Sequence, residues 1–274
     1  MEAISIDRDD LTFRQQFAIA NTLARERLPM INAREKEVEP PQTFYVRYGK
    51  RCLDIVLSCA ALVVTLPINC LLALGTAIDV GRPLFFKQKR VGKDGREFIL
   101  TKFRNMNNEV DERGELLPAA QRVSKFGRFV RKTSLDELLN FWFILKGDMS
   151  FIGPRPLVPE YTSLYSDRHR SRLKVKPGLE CPPHDYRGER RTWQSRFEND
   201  VWYVEHVSFK TDCMLVCNLV KLALDSEDSA ARSSGSEVGT FLGYDAQGEA
   251  MTLEGITQGE IDRVLGKKAG DHES

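Results

Sequence analysis

The stretch CLDIVLSCAALVVTLPINCLLALGTAI, residues 52–78, is the long apolar run of this 274-residue chain, and its reading decides the fold. At about 1.5 Å of rise per residue, a helix of that length matches a hydrocarbon core of about 30 Å. Pro67 sits mid-run, where it removes a helix hydrogen bond and crowds the preceding turn. Basic residues stand on both flanks: Arg47, Lys50 and Arg51 before, then Arg82, Lys87, Lys89, Arg90 and Lys93 after. The positive-inside rule puts both flanks on the cytoplasmic face. A helix broken at Pro67 into halves of about 14 and 11 residues, each too short to span, would dip into the bilayer and return. Thr65 or Asn69 would then partner the backbone groups freed at the break. A kinked spanning helix is the competing reading, and the residues alone divide evenly between the two.

Charge separates the rest of the chain. The formal net charge is +1, but from Asp225 onward eleven acids face four Lys or Arg, which leaves a net of +8 on the preceding 224 residues. A basic body suits anionic lipid, nucleotide phosphate or nucleic acid. A soluble nucleic-acid binder would leave residues 52–78 unexplained, so no nucleic-acid partner is expected. The six cysteines have no metal-type spacing and read as reduced, apolar packing thiols. Residues 1–10 are polar and acidic, unlike a signal peptide. Leu11, Phe13, Phe17, Ala20 and Leu23 have helical spacing and predict an amphipathic surface helix over 11–31. A linker follows at 32–42, where Pro40 and Pro41 break the pattern.

After the apolar run, Leu84–Phe86 and Glu97–Thr101 flank Gly92-Lys93-Asp94-Gly95, which predicts a β-hairpin. Eight Lys or Arg fall between residues 82 and 104. They read either as a solvated basic face against lipid headgroups or as a phosphate-binding wall. Lys102 and Arg104 flank Phe103, so in a strand they would share a face, as a diphosphate clamp needs. KFGRFVRKT at 125–133 adds Arg128 and Arg131, three residues apart.

Next comes KTSLDELLNFWFILKGDMSFIGPRP, residues 132–156. Ser134 and Glu137 have the spacing of a capping box, the helix that follows is apolar on nearly all sides, and Gly147 suits its end. Pro154 and Pro156 fix the backbone on either side of Arg155, holding one guanidinium in a set direction.

LDEL followed by LKGDMSFIGPRP resembles the signature of the monotopic phosphoglycosyl transferases, a group of bacterial sugar transferases. Residues 82–106 resemble the same family's pattern of F-x-Q-x-R-x-G, G-x-x-F and K-F-R-x-M, and the resemblance covers roughly Tyr48–Leu224. It implies a mainly α fold with a small β-hairpin (α+β). The implied chain is a monotopic membrane protein with a Pro67-broken re-entrant helix hairpin and amphipathic interfacial helices. The corresponding organisation is an N-terminal extension and linker over 1–43, the membrane hairpin over 44–80, a catalytic domain over 81–224 and an acidic, largely flexible tail over 225–274. The implied reaction moves a phospho-sugar from a UDP-sugar to polyprenyl (undecaprenyl) phosphate, releasing UMP in a ping-pong sequence and starting a bacterial glycan. By resemblance, Asp136 is the nucleophile, favoured as the anion at a helix N-terminus. Glu137, with Asp136, holds Mg2+. Arg131, Arg155, Lys102 and Arg104 contact phosphate. The implied location is the cytoplasmic face of the bacterial inner membrane. Phospholipid headgroups, a second copy of the chain and downstream glycosyltransferases are the further partners.

The pattern departs from the family in three places. LECPPHDYRGER, residues 179–190, replaces a small, Thr/Gly-containing stretch ending in Gly-Arg. Leu139-Asn140 stands where Pro-Gln is common, and Leu66 precedes Pro67 where Ser is common. The first departure keeps a second reading open: a catalytically silent, membrane-anchored homologue that recruits or regulates glycan-assembly enzymes. His184 reads as a surface residue rather than an acid/base. Residues 157–176 read as one charged helix. Residues 192–224 read as helices with apolar faces, Trp202 and Tyr203 being interfacial anchors or core. The tail holds at most one short strand or helix, around Thr252–Leu265.

Overall fold

Thr12 begins the first helix by a reciprocal cap with Gln15, a sequence-local device that fixes where the chain turns helical. The computed structural model describes residues 8–110, 117, 119–185, 192–224 and 239–270. In chain order the elements are α1 (Phe13–Arg34), α2 (Lys50–Asp79), β1 (Phe85–Val91), β2 (Glu97–Phe103), α3 (Ala119–Arg122), α4 (Lys125–Lys132), α5 (Asn140–Lys146), β3 (Ser150–Ile152), α6 (Asp167–Arg170), β4 (Gly178–Glu180), α7 (Trp193–His206), α8 (Phe209–Leu224) and α9 (Gln258–Gly270). The described chain is mainly helical with two small sheets, an α+β arrangement. β1 and β2 form the expected antiparallel hairpin, with Phe85 opposite Phe103. A parallel pair, β3 with β4, was not expected from sequence.

α2 and the short helical turn before it make one helix, Tyr45–Asp79, long and apolar enough to cross a membrane. Its backbone is helical through Pro67, so two separate half-helices are not observed. Thr65 donates to Ala61 O at 2.7 Å and Asn69 to Thr65 Oγ1 at 3.4 Å, so these side chains serve each other and the preceding turn rather than a break. Both ends of the helix are gripped by the same body. Near its start Arg51 donates to Ile144 O (2.6 Å) and Leu145 O (2.7 Å), and Asp54 accepts from Ser150 Oγ (2.9 Å). Near its end Leu72 joins Phe103 and Val130, Gly75 faces the Phe126 ring, and Asp79 accepts from Ser124. Between them Val63, Val64, Leu66 and Leu71 are 61–74% exposed, an apolar surface left uncovered by the described residues.

Several sequence expectations are corrected here. The acidic end segment is not a flexible tail over its described part. Phe241, Leu242, Tyr244, Ile256 and Ile261 are buried with Phe17, Ile19, Leu23, Tyr161, Leu164, Tyr165 and Phe197 in the largest core cluster. The buried face of α1 packs on this segment, as an amphipathic surface helix does, and the two form one core. The apolar residues of the end segment are few and set among Asp, Gly and Ser, so they carry no core pattern of their own. Residues 225–238 and 186–191 lie outside the described residues. Residues 157–176 are a series of short turns around α6, because Pro159 and the Ser166 cap restart the backbone each time. All six cysteines are free, but five are exposed, on α2 and α8, and only Cys181 is packed. Tyr203 is core, its hydroxyl donating to Asp212 Oδ1 at 2.7 Å and lying 3.1 Å from Ile152 O. His184 stacks on Trp202, with ring centroids 4.0 Å apart.

Candidate active site

Asp136 and Glu137 lie in a 3-10 turn, Leu135–Glu137, between α4 and α5. The expected capping box is absent. Ser134 takes a left-handed backbone (φ 53°) that turns its side chain out of capping geometry, and the regular helix starts only at Asn140. Asp136 therefore has no long-helix N-terminus behind it. The turn is placed from both sides. α4 is capped by Ser124, which accepts from Gly127 N at 2.8 Å, and α5 ends on Gly147 at φ 100°, the conformation that glycine adopts freely.

Glu137 draws the cations together. Its Oε1 accepts from Lys102 Nζ at 2.7 Å and from Arg155 Nη2 at 2.6 Å. Arg155 also lies 3.5 Å from Glu180 Oε2. Lys102 comes from the end of β2 and Arg155 from between two buried prolines, Pro154 and Pro156. That segment is set by close backbone approach, since a Cβ on Gly153 would stand 2.5 Å from Lys176 O, and Gly178 N donates to Pro154 O at 3.0 Å. The pairing of Ile152 with Glu180 brings Glu180 to Arg155. Beneath it, the buried Arg172 donates to Arg155 O at 2.9 Å and is paired with buried Asp200 at 2.9 Å. Arg131 reaches Asn105 Oδ1 at 3.1 Å. Arg104 turns away, donating to Val80 O at the end of α2, and so is not gathered with Lys102.

The two acids are divided by their surroundings. Asp136 is 9% exposed, and its carboxylate makes no ion pair among the described residues. Burial pushes it above the usual carboxylate range; Lys102 and Arg131 pull down, and the neighbouring Glu137 pushes further up. Burial also opposes the Glu137 anion, but Arg155 and Lys102 together outweigh it and hold Glu137 at about 2. Arg155 is raised, chiefly by Glu137. Two further cations were missed as site residues. Arg90 and Arg196 are both lowered by burial first, and both feel Arg155 as a like charge. Arg90 was legible as the Arg of F-x-Q-x-R. Arg196, Arg172, Asp200 and Glu180 carried no local signal, because their roles arise from packing between distant segments.

The sequence profile of the bacterial sugar transferases matches residues 45–226. The chain belongs to the bacterial sugar transferase family. Among its relatives, an uncharacterized sugar transferase of Bacillus subtilis strain 168, EpsL, is 40% identical over 178 residues, covering 65% of this chain and 88% of that protein. The UDP-glucose:undecaprenyl-phosphate glucose-1-phosphate transferase of Xanthomonas campestris pv. campestris is 32% identical over 213 residues, 73% of this chain and 44% of that protein. The undecaprenyl-phosphate galactose phosphotransferase of Salmonella typhimurium is 33% identical over 205 residues, 65% and 41% respectively. The transferase thus spans less than half the length of these two named relatives. The matched region contains the whole Lys102–Glu137–Arg155 cluster and α2, and leaves out α1 and the segment from 239 that packs on it.

Proposed function

We propose that the transferase moves a phospho-sugar from a UDP-sugar to undecaprenyl phosphate in two steps through Asp136. The observation that carries this reading is the division between the acids: Glu137 takes both cations, and Asp136 is left beside them with no ion pair of its own. An Asp136 carboxylate oxygen attacks the sugar-bearing phosphorus. The phosphoanhydride bond breaks and UMP leaves with the electron pair. An undecaprenyl phosphate oxygen then attacks the aspartyl phospho-sugar, a new phosphoanhydride forms, and the carboxylate is released. In this reading Lys102, Arg131 and Arg155 meet charge on the transferring phosphoryl group, with Arg155 offering a planar fork. The product lipid would begin a bacterial glycan.

The donor set fits a hard divalent cation such as Mg2+. Both Glu137 ion pairs fall on Oε1, leaving Oε2 and the Asp136 carboxylate as oxygen ligands. When bound, such an ion would screen the attacking carboxylate from the phosphates and stabilise the leaving phosphate.

The re-entrant topology belongs to the same proposal. On a straight helix the Cα atoms of Arg51 and Leu72 would be about 32 Å apart. Arg51 binds at Ile144, and the cluster around Leu72 takes in Leu139. Those two partners are five residues apart, about 8 Å along α5. A helix bent near Pro67 accommodates both contacts and returns its two ends to one membrane face. Single cysteines replacing Phe44 and Lys93, in a cysteine-free background, should label from the same side of sealed vesicles; opposite sides would mean a spanning helix.

The reaction is tested by UMP release from a panel of UDP-sugars with Mg2+ and undecaprenyl phosphate. Release from one or two donors, lost in Asp136→Asn, supports the reading and names the donor. Release at the wild-type rate from folded Asp136→Asn would sink it.

A further inference from the structure

Asn140 is the first residue of α5 and is 3% exposed, yet its Oδ1 is a buried oxygen with no hydrogen-bond partner and its amide nitrogen makes no side-chain bond. An unsatisfied buried amide is destabilising, so its presence calls for a reason. Its position supplies one. Backbone dihedrals are right-handed helical at Leu138 and Leu139, which carry the chain from the 3-10 turn into α5. Asn140 follows Asp136 by four residues, a little over one turn of this i-to-i−3 bonded segment, and precedes Phe143 and Ile144 on its own buried stripe. Phe143 and Ile144 pack on Leu100 of β2, two residues before Lys102 and on its face of the strand. Asn140 lies between that apolar cluster and the two acids.

We infer that Asn140 is a positioning residue of the acidic site, its side-chain oxygen serving as a third protein oxygen for the divalent cation, directly or through one bound water. The inference rests on the metal reading above. Among the described residues no group of three His, Cys, Asp or Glu assembles, so the two acids alone supply an incomplete set. An amide oxygen is a hard ligand and suits Mg2+ beside carboxylates without adding charge. It adds no further anion beside the incoming diphosphate. Glu137 is already committed at Oε1 to Lys102 and Arg155, which raises the value of a neutral oxygen.

The test is Mn2+ binding to the detergent-solubilised full chain without substrates, read by electron paramagnetic resonance, with unfolding temperature measured in chelator. Asn140→Leu keeps the shape and removes the polar atoms. It should weaken Mn2+ binding about tenfold or more and raise the Mg2+ needed for half-maximal UMP release by a similar factor. Its unfolding temperature in chelator should equal or exceed wild type, because the unpaired amide is gone. Asn140→Gln, which keeps an amide, should recover part of the Mn2+ affinity. Unchanged Mn2+ affinity in Asn140→Leu would overturn the inference, as would a fall in chelator stability that tracks the fall in binding. If Mn2+ binds wild type and is weakened by Glu137→Gln but not by Asn140→Leu, only Asn140's role fails. If wild type does not bind Mn2+ at all, the metal reading and this inference fall together.

Discussion

The core made by the two chain ends and the site around Asp136 treat buried polar groups in opposite ways. In the end core, Tyr244 OH accepts from Ser166 N (3.0 Å) and meets His169 Nδ1 (2.8 Å), Tyr161 OH accepts from Phe241 N (3.3 Å), and Arg27 donates to Tyr244 O (2.7 Å). Each hydroxyl is partnered and the aromatic rings pack around them. At the site, among the described residues, Asp136 is buried without an ion pair and the Asn140 side-chain oxygen without a hydrogen-bond partner. The first arrangement is what stability asks of a buried polar group. The second leaves polar capacity open for a bound group. The end core also reaches the site, because Tyr161, Leu164 and Tyr165 follow closely on Arg155 and hold that segment in place.

Substitutions should separate the two regions. The largest effect is expected at Asp136→Asn: a loss of UMP release of at least about a thousandfold, or ~4 kcal/mol in the barrier. Its unfolding temperature should be unchanged or slightly higher. The folded protein holds the Asp136 proton to higher pH than the unfolded chain does, so ionising that group costs stability as pH rises, and the neutral amide removes the cost. A clear fall in stability would mean that the acid is structural. Phe241→Ala should do the converse, costing about 3–5 kcal/mol of stability in denaturant titration, with activity per folded molecule retained. Loss of activity in the remaining folded fraction would show that the end core reaches the chemistry more directly than its packing suggests.

Arg155→Lys should lower kcat/KM about ten- to a hundredfold, since a single ammonium cannot keep both Glu137 and a phosphate in the guanidinium's planar geometry. A drop confined to stability would contradict a phosphate role. The two acids should also differ in pH response. Glu137 is held at about 2, below its unfolded value of about 4.3, so its ion pairs contribute fully above the unfolded value and are lost as pH falls toward 2. The acid limb of UMP release should instead follow Asp136 and lie above the ordinary carboxylate range. An acid limb near 2 would assign it to Glu137. The smallest effect is expected at Ser134→Gly. Relief of the left-handed backbone should offset the added freedom of the unfolded chain, changing stability by less than about 1 kcal/mol.

The parts legible in the sequence were those with local signals. Gly92–Gly95 marked the hairpin, Gly147 marked the end of α5, and the Leu-Asp-Glu-Leu and Pro-Arg-Pro motifs marked residues that Glu137 joins through Lys102 and Arg155. What was not legible depended on distant segments. The pairing of β3 with β4 that brings Glu180 to Arg155 joins two three-residue strands too short to carry a pattern. Arg104 shared the strand spacing of Lys102 but lies just past the end of β2, where the carbonyl of Val80 captures it. The end segment looked flexible because its composition is acidic. Its few apolar residues become core only when α1, two hundred residues earlier, supplies the opposing face.

The most direct test of the two-step reading is the intact mass of the transferase after brief exposure to its UDP-sugar and Mg2+ without lipid acceptor. The account predicts a stoichiometric gain of one phospho-sugar, mapped to Asp136, with one equivalent of UMP released, and removal of that mass when undecaprenyl phosphate is added. UMP formation only when both substrates are present, with no adduct at any time, would contradict it.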